Sequence, residues 1–99
     1  MWSDTDNAIF DFCEDARGEM QSRMFEAVAR GWGLSWRDGT YTNERVLYRL
    51  RLAVDHLEAA LRNTDDPHEW AKRAADVANQ AFMSADPARL ATKLEPTDD

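Results

Sequence analysis

The segment NERVLYRLRLAVDHLEAALR, residues 43–62, carries apolar side chains at alternating steps of three and four residues. These positions are Leu47, Leu50, Val54, Leu57 and Leu61. A helix of about 3.6 residues per turn brings such positions onto one face, and this spacing is typical of the seam of a bundle helix. The segment therefore predicts a long amphipathic helix that packs through its leucines.

A first helix is predicted before this segment, over about residues 4–30, with Gly18 as a point of interruption. Its apolar side chains recur at three- and four-residue steps on one side: Ile9, Phe12, Cys13, Ala16, Met20, Met24, Ala27 and Val28. Cys13 is expected to be a small buried thiol, because an isolated cysteine usually packs as a small apolar residue.

A third helix is predicted from Asp66 to about Ser84, since Asp66 can cap the first amides, Pro67 suits the first turn and Glu69 completes a capping box. Its expected inner face comprises Trp70, Ala74, Val77, Ala78, Ala81 and Phe82. The same cap recurs at Asp86, where a short helix is predicted to run through residue 94. The sequence thus predicts an all-α bundle of three main helices and a short C-terminal one.

Composition limits the class of protein. The 99 residues, 43% of them hydrophobic, predict one domain spanning residues 1–99, with a core from about 4 to 94 and a frayed acidic tail at 95–99. So short a chain often gains stability from self-association, which predicts a homo-oligomer. A net charge of -7 argues against general binding to nucleic acids or anionic membranes. With one cysteine, no signal peptide and no apolar span, the expected location is the cytoplasm.

Polar residues on two helices form candidate binding sites for phosphate. Arg45, Arg49 and His56 fall within about 40° of one another on the second helix, away from the leucine seam. On the third helix the polar edge comprises Lys72, Arg73, Asp76, Asn79 and Gln80. Taken alone, both sets are more typical of solvated helix faces with intrahelical ion pairs than of a binding site.

The loop RGWGLSWRDGTY, residues 30–41, contains three aromatic residues between the first two helices. Trp32, Trp36 and Tyr41 are candidates for stacking on a nucleobase. The alternative is that the rings plug the end of the bundle. Plugging is the favoured interpretation for Trp32, and both roles stay open for Trp36. No nucleophile triad, phosphate-binding glycine loop or zinc motif occurs.

Two segments joined by an Asp-Pro turn carry a family resemblance: LYRLRLAVDHLEAAL at 47–61 and AKRAADVANQAFMSAD at 71–86. They resemble the MazG-like nucleotide pyrophosphohydrolases, particularly short phage and bacterial members. Upstream, FCEDARGEMQSRM and RGWGLSW resemble the first helix and the tryptophan loop of such proteins, so the resemblance covers about residues 10–86. It implies a MazG-like helical bundle that assembles as a dimer or tetramer.

In that family, carboxylates on two successive helices hold magnesium over the nucleotide phosphates. The resemblance places Leu52, Ala53 and His56 at the carboxylate positions of the first motif. In the second motif it places Arg73 at the glutamate and retains only Asp76, while Asn79 matches the pattern. One carboxylate is a poor anchor for Mg²⁺, whereas guanidinium groups bind phosphate oxygens directly.

The resemblance therefore predicts a catalytically degenerate protein that binds a nucleotide or nucleotide-derived signal without a metal cofactor. Sequestration of such a signal, as in a phage counter-defence sponge acting in the host cytoplasm, is the corresponding role. The main alternative is an active pyrophosphohydrolase that uses Mg²⁺, with Asp55 and Glu58 as a displaced carboxylate pair completed by Asp76. A third hypothesis is a helical bundle that binds protein partners and no nucleotide.

Overall fold

The computed structural model describes residues 2–37 and 41–89, and it confirms an all-α helical bundle. Helix α1 spans Asp4–Ala29, α2 spans Asn43–Asn63 and α3 spans Pro67–Ser84. A 3-10 turn, Ser35–Arg37, lies in the loop between α1 and α2. No strand occurs within the described ranges. No helix there is long and apolar enough to cross a membrane.

The helix ends lie within one or two residues of the predicted ends, and each helix begins at a capping side chain. The Ser3 hydroxyl and the Asp6 carboxylate form a capping box at the start of α1. Thr42 caps α2 by accepting from the amide of Arg45, and Asp66 caps α3 by accepting from the amide of His68. The capping box predicted at Glu69 does not form, because the amide of Asp66 donates to the Thr64 hydroxyl and Glu69 pairs along the helix.

Two further predictions concern a break in the first helix at Gly18 and a short helix that begins after Asp86. Helix α1 runs through Gly18 without a break. At the C-terminus, the Asp86 carboxylate accepts from the amide of Ala88, and residues 87–89 are helical. The rest of the predicted short helix and the acidic tail lie outside the described residues.

Helix α3 lies in contact with both α1 and α2. It is shorter than α1, with 18 residues against 26, so it covers only the second half of that helix. Ala16, Met20, Met24 and Ala27 are half-buried there. The predicted apolar face of α1 is therefore wrong in its first half and at Val28: Ile9, Phe12, Cys13 and Val28 are exposed.

The packed faces of α2 and α3 also differ from the prediction. Helix α2 is buried at Val46, Ala53 and Ala60, a strip that lies beside the leucine seam. Helix α3 is buried at Ala75 and Asn79. Three residues of its expected inner face are exposed, Ala74, Ala81 and Phe82, and the other three are half-buried, Trp70, Val77 and Ala78. Small side chains at the true contact let the helices approach closely, which displaces the larger side chains to its edges.

The connecting loop supplies much of the apolar core. Trp36, Tyr41 and Val46 form a buried cluster on which Met24 and Met83 pack. Gly31 and Gly33 precede it with positive φ angles of 94° and 53°, a backbone conformation that glycine adopts without a steric penalty. The loop thereby turns back across the ends of α1 and α3 and closes one side of the cleft described below.

Candidate functional site

A cleft of about 380 Å³ lies among the three helices and the tryptophan loop. Its volume falls within the range of about 300–1,000 Å³ that is common for small-molecule sites. The lining residues are Arg23, Met24, Ala27 and Arg30 of α1, Trp32, Gly33, Ser35, Trp36 and Tyr41 of the loop, Arg49, Leu52, Ala53 and His56 of α2, and Arg73, Asp76, Asn79, Gln80 and Met83 of α3. Each helix thus contributes polar side chains to a partly apolar cavity.

The cleft is cationic although the chain as a whole is acidic. Arg23, Arg30, Arg49 and Arg73 line it together with His56, and Asp76 is the one carboxylate among the described lining residues. With His56 neutral, four positive charges face one negative charge in a chain whose net charge is -7. Such a local excess attracts anions despite the repulsion from the rest of the surface.

Asp76 is already bound by a guanidinium group. Nε and Nη2 of Arg23 donate to its two carboxylate oxygens at 2.8 and 2.9 Å, and Nη1 of Arg23 donates to Glu26 at 2.7 Å. The hydrogen bonds to Asp76 are the main reason why the pKa of Arg23 is raised. Because both oxygens of Asp76 accept from Arg23, the pair supports the α1–α3 contact and leaves this carboxylate poorly suited to hold a cation.

Two other arginines of the cleft have no carboxylate partner within the parts of the chain that the structure describes. Arg30 and Arg49 form no ion pair there. The guanidinium carbon of Arg49 lies 4.4 Å from the centre of the Trp32 ring, which is a cation–π contact that leaves the N–H donors available. By contrast, Nε of Arg73 donates to Glu69 at 3.0 Å. Arg30 and Arg49 therefore carry the uncompensated charge.

The aromatic residues of the loop differ in burial and in their contacts. Trp32 lines the cleft and is 43% exposed, so the expectation that it plugs the bundle is wrong. Trp36 is buried and donates from Nε1 to Asp86 at 2.6 Å, which makes it the plug. Arg37 donates to the same carboxylate at 2.7 Å, and chiefly this bond lowers the pKa of Asp86 to about 2.

Tyr41 is also buried, and its carbonyl oxygen accepts from Arg89 at 3.4 Å. Arg89 is itself buried and donates to Ser84 and Asn43 as well. These bonds fix the entry to α2 against the C-terminal end of α3. Of the three aromatic candidates, only Trp32 presents a largely exposed ring to a ligand.

The structure brings together most of the predicted phosphate-binding residues and separates two of them. Arg49, His56, Arg73, Asp76 and Asn79 line one cleft. Arg45 lies outside it on an exposed part of α2, with its guanidinium carbon 5.8 Å from the Tyr41 ring centre. Lys72 also lies outside, with its Nζ 3.8 Å from Glu69.

Asn79 and Gln80 occupy the same cleft in different ways. The side-chain amide of Asn79 is buried and donates to the carbonyl oxygen of Met20 at 3.0 Å, so it joins α3 to α1. Oε1 of Gln80 is buried and has no hydrogen-bond partner within the part of the chain that the structure describes. Buried amide oxygens are normally paired, which makes Gln80 an unusual feature of the wall.

Sequence reasoning missed the two arginines that α1 contributes. Arg23 and Arg30 are seven residues apart, so they fall on nearly the same side of a helix. Half-buried Met24 and Ala27 lie between them along that side. This pattern could have predicted both arginines from the sequence. Two cationic residues seven positions apart, next to an apolar stripe, are expected to border the packed face of the helix.

The cleft does not offer the donor set that magnesium requires. Magnesium prefers several oxygen ligands in octahedral geometry. Among the lining residues that the structure describes, Asp76 supplies the one carboxylate, and it is already paired with Arg23. Asp55 and Glu58 do not line the cleft, and Glu58 pairs with Arg62 at 3.0 Å on the surface. Residues 2–37 and 41–89 contain no group of three or more His, Cys, Asp or Glu side chains placed to hold a metal ion.

Comparisons with models of protein families, with curated proteins and with solved structures found no match for this chain.

Proposed function

We propose that the chain is a MazG-like protein that binds a nucleotide or a nucleotide-derived signal without a metal ion, and that it acts by sequestering this ligand. The observation that carries the proposal is that Arg30 and Arg49 have no ion pair among residues 2–37 and 41–89, in a cleft whose described lining holds a single carboxylate, already neutralised by Arg23. Guanidinium groups bind phosphate oxygens through two parallel hydrogen bonds, so the phosphates occupy this cationic wall.

The rest of the cleft suits the nucleoside portion of the ligand. Trp32 is 43% exposed, with Arg49 over its ring, and stacking on the remaining ring surface favours a flat base without strong discrimination among bases. Leu52, Ala53 and Met83 supply apolar surface deeper in the same cavity. His56 lies on the helix that carries Arg49, and its ring lines the same cleft as a hydrogen-bonding group.

The described residues that line the cleft favour sequestration of the ligand over its hydrolysis, because they lack carboxylates that are free to hold a metal ion. A pyrophosphohydrolase of the resembled family needs carboxylates to hold the metal ion that prepares the attacking water. Here Ala53, His56 and Arg73 stand at positions where the resemblance expects carboxylates, and Arg23 binds the one that remains. Direct contacts from arginine to phosphate preserve the affinity for the ligand, but they do not prepare a water molecule for attack.

The proposal is tested by isothermal titration calorimetry of the full chain against a panel of nucleoside mono-, di- and triphosphates and of cyclic and hyperphosphorylated nucleotides. Each titration is run with EDTA and again with Mg²⁺. Binding of at least one member in EDTA, without pyrophosphate release in Mg²⁺, is the expected result. Binding that disappears with the chelator, or release of pyrophosphate, supports the hydrolase instead. No binding by any member overturns the proposal.

A further inference from the structure

The leucine seam of α2, comprising Leu47, Leu50, Val54, Leu57 and Leu61, is only partly covered by the described part of the chain, since Leu50 and Leu57 are half-buried. Leu47, Val54 and Leu61 are 45%, 43% and 54% exposed. The intrachain contact instead uses Val46, Ala53 and Ala60, on the adjacent side of the helix. One helix therefore has two apolar strips, of which its own bundle uses one.

The spacing of the seam specifies what it fits. Steps of three and four residues over two heptads place Leu47, Val54 and Leu61 at a positions and Leu50 and Leu57 at d positions of a coiled coil. Side chains in this register insert between those of a second helix with the same register. A partner helix with a matching apolar seam is thus required, and a second copy of this chain provides one.

Charges beside the seam indicate both the identity and the direction of the partner. The e positions are Glu44, Arg51 and Glu58, all exposed, while the g positions are the small or apolar residues of the buried strip. In an antiparallel pair of helices, e positions face e positions. An alignment with Val54 opposite Leu57 of the second copy, and Leu50 opposite Leu61, brings Arg51 near Glu58 twice.

The competing arrangements lack this complementarity. If one helix of the antiparallel pair is shifted along the other by one heptad, Arg51 of one copy lies beside Arg51 of the other. Glu44 of one copy then lies beside Glu58 of the other, so both contacts join like charges and are repulsive. A parallel pair sets e positions against g positions, where the Val46, Ala53 and Ala60 side chains carry no charge. Arg51 also has no ion pair among residues 2–37 and 41–89, so it is available to a second copy. Glu58 pairs with Arg62 of its own helix at 3.0 Å, and in the dimer its carboxylate is shared between Arg62 and Arg51 of the second copy.

We infer that this chain forms a homodimer through an antiparallel α2–α2 contact, with the leucine seam at its centre and two Arg51–Glu58 ion pairs at its edges. The cleft stays open in this dimer, because Arg49 and His56 lie on a different side of α2 from the seam. The inference does not depend on what the cleft binds.

The dimer is tested by sedimentation equilibrium or light scattering of the full chain from about 1 µM to about 500 µM, a range that covers weak protein interfaces. A mass approaching twice 11.4 kDa is expected. Val54→Glu should be monomeric and should keep its helical circular dichroism, since Val54 is already part-exposed. Tyr48→Glu is the matched control, because Tyr48 is exposed on α2 away from the seam, and it should remain dimeric.

A charge exchange tests the direction of the helices. Arg51→Glu alone should weaken dimerisation at least about threefold, and Arg51→Glu combined with Glu58→Arg should restore it. A native chain that stays monomeric over the whole range overturns the dimer, and so do equal masses for Val54→Glu and Tyr48→Glu. Loss of the dimer in Val54→Glu without rescue by the charge exchange overturns the antiparallel register.

Discussion

Arg23 and Asp76, 53 residues apart in sequence, form two parallel hydrogen bonds of 2.8 and 2.9 Å that join α1 to α3. Their side chains are only 13% and 27% exposed. The pair stabilises the α1–α3 contact and at the same time neutralises the one carboxylate among the described lining residues of the cleft. Asp76 therefore affects both the stability of the fold and the charge of the cleft, which makes it the most informative residue to mutate.

Asp76→Asn should have opposite effects on stability and on binding. Loss of the charged pair should lower the free energy of unfolding by about 1–3 kcal/mol, because Arg23 keeps a part-buried charge with fewer partners. The removal of a negative charge should raise the affinity of the cleft for phosphate compounds several-fold. Urea unfolding and calorimetry measure the two effects. Glu14→Gln, which breaks the exposed Arg17–Glu14 pair, should change neither. Weaker binding with unchanged stability would identify Asp76 as a direct ligand.

Arg30→Gln and Arg49→Gln should each reduce nucleotide affinity about tenfold, since each removes a guanidinium that has no competing carboxylate. The fold should stay intact in both variants. Arg17→Gln is the control on α1, where the arginine is exposed outside the cleft and already paired. Calorimetry with the best ligand of the panel provides the measurement. Equal affinities for all three variants would contradict the assignment of the cationic wall.

Trp32→Leu and Trp36→Leu should separate ligand stacking from structural packing. Trp32 is 43% exposed in the cleft, so its loss should weaken binding of a nucleotide by about 1–3 kcal/mol while the melting temperature changes little. Trp36 is buried and bonded to Asp86, so its loss should lower the melting temperature strongly. Inorganic pyrophosphate, which has no base, should bind Trp32→Leu as tightly as the native chain. A loss of stability in Trp32→Leu but not in Trp36→Leu would contradict this assignment and would make Trp32 the structural residue.

The Asp86 carboxylate should make stability sensitive to acid. Its pKa is lowered from 3.8 to about 2 in the folded chain, mainly by the hydrogen bond from Arg37. A lowered folded pKa gives stability that is fully present above about pH 4 and is lost as the pH falls towards 2. The stability difference between the native chain and Asp86→Asn should therefore shrink over this interval. Thermal unfolding at several pH values tests this, and a difference that stays constant would contradict it.

Asn79→Ala should reduce stability and Lys72→Ala should not. The Asn79 amide is buried and donates to the carbonyl oxygen of Met20, and loss of that bond should cost about 1–2 kcal/mol. Lys72 lies outside the cleft beside Glu69, at a distance typical of weak surface ion pairs. Chemical denaturation of both variants measures the difference. Unchanged stability of Asn79→Ala, together with lost nucleotide affinity, would favour a ligand role for the asparagine.

The sequence by itself determined the fold class and the helix ends. The apolar spacing of three and four residues and the cap at Asp66 depend on local geometry, and the structure agrees with the predicted ends within one or two residues. It also predicted six of the polar residues that meet in the cleft, because two helix faces and a short turn restrict where those side chains lie. The MazG-like resemblance stays a prediction, as does the nucleotide.

Tertiary structure alone decided which faces of the helices are buried. The leucine seam was predicted to be the packed face of α2, yet Val46, Ala53 and Ala60 occupy that position because small side chains permit closer packing with α3. Cys13 is exposed because α3 is too short to reach the first half of α1. The Arg23–Asp76 pair likewise depends on how two distant helices cross, since local spacing specifies the face of each helix but not its partner.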